Sequence, residues 1–365
     1  MKVLTVVGAR PQFIKAAAVS RAMAAVPGRP VQEVLVHTGQ HHDGNMSQVF
    51  FDDLEIPAPA HNLGIAGGGH GDMTGRMLQA LEPLMLAHRP DWVLVYGDTN
   101  STLAAALAGT KLHIPVAHVE AGLRSFNKRM PEEVNRAIAD RISDLLLCPT
   151  VAAVANLTAE GRREGVFLVG DVMYDAALFF GDVARKRSRV LADLGLEVGA
   201  YALATCHRAE NTDDPARLAQ IFAALDRIAH QFPVVLPLHP RTRKVALELG
   251  LLNLPGSVKV LDPLPYLDMI ALERSARLIL TDSGGVQKEA YFFGVPCLTL
   301  RDETEWVETV SMGWNRLVPA DANAILDAAL QARAPACAGP AIAPYGDGHA
   351  ADAIVRLLLD VQRNH

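Results

Sequence analysis

Cysteine is scarce in this chain. Its four residues, Cys148, Cys206, Cys297 and Cys337, lie too far apart for a CxxC or metal-like pattern, and four free thiols in a reducing cytoplasm are expected. No apolar run approaches the roughly 18 residues that a membrane-spanning helix needs. The opening MKVLTVVGARPQF is too short and turns polar too soon for a signal peptide. An excess of positive charge is missing as well: 34 basic against 40 acidic residues leave a formal charge of −6. No basic field exists to hold a phosphate backbone, which argues against nucleic-acid binding; a ligand with a few phosphates needs only local cations. No low-complexity tract or long internal repeat is present, so a solenoid is excluded. What remains is a globular composition, 50% hydrophobic and 20% charged, in 365 residues. That rules out a disordered, collagen-like or coiled-coil chain. At about 100–200 residues per domain it suggests two domains.

Short apolar runs alternate with helical patterns. Strands are predicted at residues 2–7, 32–37, 91–96, 114–119, 201–205, 233–238 and 277–281, with a helix and a further strand within 133–148. Helices are predicted at 13–25, 76–88 and 101–109, and glycines crowding 64–75 predict a loop. The strands are near-continuous apolar runs, the mark of parallel sheets covered on both faces. The pattern restarts near residue 170, so two doubly wound α/β domains are expected: 1–170, and 171–350, with a C-terminal helix at 351–363 free to pack on either. Unusual polar clusters follow the strands, where open parallel sheets bind ligands, and both sets of loops would line one cleft.

Four clusters stand out. In GARPQFIK, Arg10 and Lys15 flank a helix start, a natural anion site. In DSGGVQKEA, Ser283, Gly284 and Gly285 open a helix with backbone N–H groups free to approach a diphosphate, and Glu289 is placed to accept ribose hydroxyls. A tight turn is the plainer account of Ser-Gly-Gly. Carboxylates end strands or open helices at Asp98, Glu120, Glu132 and Glu133. Asp98 also suits a helix N-cap, and Glu132 and Glu133 suit a helix dipole, with Arg136 one turn on as an ion-pair partner for Glu132. Carboxylates sharing a site would raise one another's pKa values, poising a proton donor and an acceptor. Finally, His207 ends a strand in CHRAEN, and His239 stands with Arg241 and Arg243 in LHPRTR. An imidazolium at His207 would stabilise a departing phosphate oxygen, whereas His41, His42, His70 and His88 read as loop or surface residues. A metal-binding HExxH pair and a GxSxG nucleophile elbow are absent from the sequence.

GARPQFIK, YGDTNSTLA, HVEAGLRS, MPEEVNR, HRAEN, LPLHPRTR, LTDSGGVQKEA and RDETEW follow in that order. Together they resemble the non-hydrolysing UDP-N-acetylglucosamine 2-epimerase family from about Lys2 to the segment PYGDGHAA at 344–351. The resemblance implies a two-domain, glycosyltransferase-B-like fold, an interdomain active site, no added cofactor, no metal and a homodimer. It implies inversion at C2 of a UDP-2-acetamido sugar by elimination of UDP to a 2-acetamidoglucal and re-addition. In that mechanism Asp98, Glu120 and Glu132 exchange protons, Arg136 supports Glu132, and His207 stands at the diphosphate beside Arg10. Lys15 contacts the nucleotide, His239 binds substrate, and Ser283, Gly284, Gly285 and Glu289 cradle the diphosphate and ribose.

Departures from the family pattern point to a branch. Trp306 stands where many members carry an arginine, the segment SFNKRM before Glu132 is short, and TGQHHDGNMS differs from the segment that builds a regulatory second site. With HRAENTDD and FFGVPC these features resemble the branch acting on UDP-2,3-diacetamido-2,3-dideoxy-glucuronic acid for surface polysaccharide. Lys128 or Arg129 would face its C6 carboxylate; two solvated loop cations are the alternative. UDP-N-acetylglucosamine is the alternative substrate. A glycosyltransferase on the same fold, a hydrolysing relative and a nucleotide-sugar sensor are the other readings.

Overall fold

The computed structural model describes residues 1–28, 31–40, 51, 56, 58–335 and 344–361. The chain divides into two compact units, Met1–Ala176 with Ile342–His365, and Ala177–Ala341. In the first, strands β1 (Lys2–Val7), β2 (Gln32–His37), β3 (His61–Asn62), β4 (Trp92–Tyr96), β5 (Val116–Val119), β6 (Leu145–Cys148) and β7 (Val166–Leu168) form one sheet. Their order is β3-β2-β1-β4-β5-β6-β7 and every neighbouring pair is parallel. In the second unit, β8 (Ala202–Thr205), β9 (Val234–Pro237), β10 (Val258–Leu261), β11 (Leu278–Thr281), β12 (Cys297–Thr299) and β13 (Asn315–Leu317) follow the order β10-β9-β8-β11-β12-β13, again all parallel. Both are the doubly wound α/β sheets expected.

Alternate residues of each strand feed opposite faces, and helices cover both. In the second unit Ala202, Ala204, Leu236, Leu278 and Leu280 pack with Leu218, Ile221, Phe222, Leu225 and Ile228 of helix Pro215–Ala229. Tyr201, Leu203, Val235 and Ile279 point the other way, into a core with Leu272 and Ala290. In the first unit Leu4, Val6, Val93 and Val95 meet Met77, Leu81 and Met85 of helix His70–His88 and the alanines of helix Asn100–Lys111. Each such leucine or valine contributes about 1.5–3 kcal/mol on burial. Small alanines let that last helix lie close on the sheet.

The predicted strands recur to within two residues at each end. Helix His70–His88 is a correction: it starts inside the glycine-rich segment read as a loop. Packing of Met73, Met77 and Leu81 on the sheet overrides the weak helix propensity of Gly71 and Gly75. Helix Ala350–Val361 packs on helix Arg10–Ala24 of the first unit. Its first turn is held by Asp175, which accepts from Ala350 N at 3.2 Å and Ala351 N at 2.7 Å. Cys148, Cys206 and Cys297 are buried free thiols, and burial pushes Cys148 and Cys297 up to about 12. Cys337, His41 and His42 lie outside the described residues. Among those described, no helix is long and apolar enough to cross a membrane.

Candidate active site

In the first sheet the strand order reverses between β1 and β4, and in the second between β8 and β11. Loops after such strands diverge to opposite faces and leave a ligand-sized gap. The predicted polar clusters sit at these points.

In the first unit Gln12, which sequence reasoning passed over, ties the two loops together. Its Oε1 accepts from Gly8 N at 2.7 Å and Ala9 N at 3.0 Å, and its Nε2 donates to Tyr96 O at 2.6 Å and to the Thr99 and Thr102 hydroxyls, both at 3.0 Å. Arg10 then opens helix Arg10–Ala24, and Lys15, one turn on, forms an ion pair with Glu120. Glu120 follows β5 with φ +70°. Gly97, at the end of β4, has φ +60°, and a Cβ there would stand 3.2 Å from Glu120 Oε2 and 3.5 Å from Lys15 Nζ. A glycine is required both by the backbone and by this approach.

Asp98 comes next. It is not a cap: Thr99 takes that role, accepting from Thr102 N at 3.3 Å. Asp98 instead forms an ion pair with Arg136. Arg136 is not the partner of Glu132, as the spacing suggested; it pairs with Glu133, Nη1 to Oε2 at 3.0 Å. The reason is the helix face. Glu133, Arg136 and Asp140 share the buried side of helix Pro131–Ile142, while Glu132 is only half-buried and makes no ion pair among the described residues. Glu133 is spent on structure, accepting from Ser125 N at 2.9 Å, Ser125 Oγ at 3.0 Å and Phe126 N at 2.9 Å. So the carboxylates do not simply crowd one another. Lys15 neutralises Glu120, and Arg136 bridges Asp98 and Glu133, leaving Glu132 the least committed.

In the second unit His207 follows β8, and Ser283, Gly284 and Gly285 follow β11. Asp282 joins them. Fully buried, it accepts from His207 N at 3.1 and 3.0 Å, Arg208 N at 3.0 Å and Asn211 Nδ2 at 3.0 Å, and lies 3.2 Å from His207 Nδ1. Burial pushes its carboxyl up, but the His207 ring, Asn211 and Arg208 N outweigh that and hold it at about 2. The His207 ring is half-exposed, with its Nδ1 engaged by Asp282. Asp282 stands in the DSGG motif, and its place directly after an apolar strand was the available signal. Ser283 precedes helix Gly284–Phe292 without capping it through its side chain. A Cβ on Gly284 would stand 2.7 Å from Glu305 Oε1, 3.5 Å from Trp306 Nε1 and 3.7 Å from Arg208 Nη2. Trp306 is therefore beside the predicted cradle, with Lys288 Nζ 3.8 Å from the centroid of its ring. Buried Glu289 accepts from Tyr266 Oη at 3.3 Å. His239 caps helix Pro240–Glu248, its Nδ1 accepting from Arg241 N at 3.3 Å.

Two groups thus emerge: Lys15, Asp98, Glu120 and Arg136 around Gly97, and His207, Asp282 and Ser283–Gly285 in the second unit. The first offers carboxylates for proton transfer, the second the N–H-rich start of helix Gly284–Phe292 as a seat for an anion. The family model described as UDP-N-acetylglucosamine 2-epimerase matches residues 25–359. The UDP-2,3-diacetamido-2,3-dideoxy-D-glucuronate 2-epimerase of Pseudomonas aeruginosa is 55% identical over 334 residues, 90% of this chain and 91% of that one. A UDP-N-acetylglucosamine 2-epimerase homolog of Methanococcus maripaludis is 51% identical over 331 residues, 90% of this chain and 91% of its own. The crystal structure of the Methanocaldococcus jannaschii UDP-GlcNAc 2-epimerase in complex with UDP-GlcNAc and UDP superimposes with a TM-score of 0.88 at 40% identity, over 99% of this chain and 100% of the other. A family model over most of the chain and 55% identity over nine-tenths of it show that the chain belongs to the UDP-N-acetylglucosamine 2-epimerase family.

Proposed function

We propose that this enzyme inverts C2 of UDP-2,3-diacetamido-2,3-dideoxy-D-glucuronate, gluco to manno, as a step toward surface polysaccharide. The C2 hydrogen is barely acidic, so direct deprotonation is slow. Elimination solves this. A carboxylate takes the C2 proton, the C1–O bond breaks, and UDP leaves with the bonding electrons, giving a glycal. UDP then adds back at C1 while a proton reaches C2 from the opposite face. No net oxidation occurs and no other reactant is consumed. The observation that carries the reading is the carboxylate group at the ends of β4 and β5, with Asp98 and Glu120 held by Arg136 and Lys15, and with Glu132 near Arg136 in sequence but in no ion pair among the described residues. A glycosyltransferase would have no task for these groups. His207, Arg10 and the Ser283–Gly285 turn serve the departing diphosphate, Glu289 the ribose and His239 the substrate. Lys128 or Arg129, both exposed on the loop before Glu132, serves the C6 carboxylate. We assign the enzyme to the cytoplasm as a homodimer; three buried free thiols suit a reducing compartment.

A second reading, UDP-N-acetylglucosamine as substrate, is favoured by the names of the other relatives. One experiment decides. Both UDP sugars are incubated with the enzyme in D2O and followed by NMR. The manno product of the uronate is expected, with deuterium at C2 in product and recovered substrate. Protium alone at C2 after many turnovers excludes elimination, and turnover of UDP-N-acetylglucosamine alone selects the second reading.

A further inference from the structure

Glu120 stands in the left-handed region at φ +70°, where a residue with a Cβ is strained. Such strain persists only where the surroundings over-determine the backbone. The backbone N–H of Glu120 donates to Leu147 O at 3.0 Å. On either side of it, Val119 O accepts from Gly97 N at 3.0 Å and Ala121 N donates to Leu147 O at 3.3 Å. A further constraint comes from a buried pair that the proposed reaction does not use, His118 in β5 and Asp140 in helix Pro131–Ile142. His118 Nδ1 lies 2.8 Å from Asp140 Oδ1, and its Nε2 lies 2.6 Å from the carbonyl oxygen of Gly97. The other oxygen of Asp140 accepts from Gly122 N at 3.1 Å and from Arg124 Nη1 at 2.7 Å. Arg124 in turn grips Glu160 through Nε and Nη2, both at 2.7 Å.

The arrangement is symmetrical about one residue. Through His118 the Asp140 carboxylate holds the chain two residues before Glu120, and through Gly122 N it holds the chain two residues after. His118 also fixes Gly97, the glycine against which the Glu120 carboxylate and Lys15 rest. We propose that His118 and Asp140 are positioning residues for epimerisation, which aim the Glu120 carboxylate by clamping the backbone on both sides of it and the Gly97 peptide opposite. This rests on the reading of Glu120 as a proton-transfer group. Burial alone would push the Asp140 carboxyl up; the hydrogen bond and charge of His118, with Arg124, outweigh it and keep the group ionised as an acceptor of three donors.

Hydrogen-bond inventory separates the variants. Asparagine at 140 still accepts from Gly122 and Arg124 through its oxygen and donates its amide to His118 Nδ1, whose Nε2–H keeps Gly97. Alanine releases both sides. His118→Asn keeps an N–H toward Asp140 but loses reach to Gly97. The test measures kcat, the UDP dissociation constant by calorimetry, and thermal midpoint for wild type, Asp140→Ala, Asp140→Asn and His118→Asn. Asp140→Ala and His118→Asn are expected to lose about 10²-fold in kcat, as misplacement of a reacting group by an ångström does. UDP affinity should stay within about twofold, and Asp140→Asn should recover most of the rate. A folded Asp140→Ala or His118→Asn with wild-type kcat overturns the proposal. So does a parallel loss of kcat and UDP affinity, or failure of Asp140→Asn to restore rate. If neither Asp140→Ala nor His118→Asn folds, the pair holds the unit together instead of aiming Glu120, and the proposal falls as well. Wild type run alongside isolates the outcome: without C2 exchange in wild type the epimerase reading itself has failed, whereas exchange in wild type and variants alike removes only this inference.

Discussion

At the scale of single residues, three acids of this protein have been given different tasks by their partners. Glu120 is paired with Lys15, Glu133 is consumed by the loop at 125–126, and Asp282 is buried to organise the turn that carries His207. Asp282 has a consequence in acid. Its folded value, about 2, lies below the ordinary 3.8. The unfolded chain therefore binds its proton first as pH falls. The resulting stabilisation, about 2 kcal/mol, is complete above the ordinary value and is lost as pH drops toward about 2. Urea melts of wild type and Asp282→Asn between neutral pH and strong acid should show a steeper acid decline in wild type. Parallel curves would mean that the carboxylate is not held in this way.

At the scale of the element, helix Pro131–Ile142 turns a sequence of mixed charge into one wall of the candidate site. Its buried face presents Glu133, Asn135, Arg136 and Asp140 toward β4 and β5, and Asn135 Nδ2 adds a bond to Asp98 O at 3.0 Å. Spacing alone could not choose between Glu132 and Glu133 as the partner of Arg136, since both lie within one helical turn of it. Which acid faces inward is decided by how the helix rolls onto the sheet. Removing the cation leaves Glu133 buried and uncompensated, so Arg136→Met should cost about 3–5 kcal/mol. The fall in urea midpoint measures it. Adding Glu133→Gln should restore part of the loss, and an unchanged midpoint in the double variant would refute the pairing.

At the scale of the whole molecule, the first unit is completed by chain that returns after the second. Ala350, Ala351, Ile354, Val355 and Leu358 are buried, on a helix that packs against helix Arg10–Ala24. Ending the chain after Ala341 strips this apolar face from the first unit and leaves the second intact in sequence. A truncated protein should lose the first unit's thermal transition or aggregate, while UDP still raises the melting temperature of what remains folded. Full retention of both transitions would show that the returning helix is dispensable.

The fold class was legible because apolar runs such as KVLTVV, DWVLVY and RLILT are buried on both faces, a demand that parallel sheets impose on every residue of a strand. Strands β3, β7, β10, β12 and β13, of two to four residues, are too short to carry such a signal and exist through their neighbours in the sheet. The polar clusters were legible for a related reason: in a doubly wound sheet they must follow the strands, and Asp98, Glu120, His207 and Ser283 do. Gln12, His118, Asp140 and Asp282 were not singled out, because a buried polar residue announces its role only through the partners that satisfy it. Glu133 likewise became Arg136's partner through packing, and His70 became helical against its glycines. Sequence alone determined which residues end up at the strand ends; tertiary structure decided their partners, because hydrogen bonds and ion pairs join residues more than a hundred positions apart.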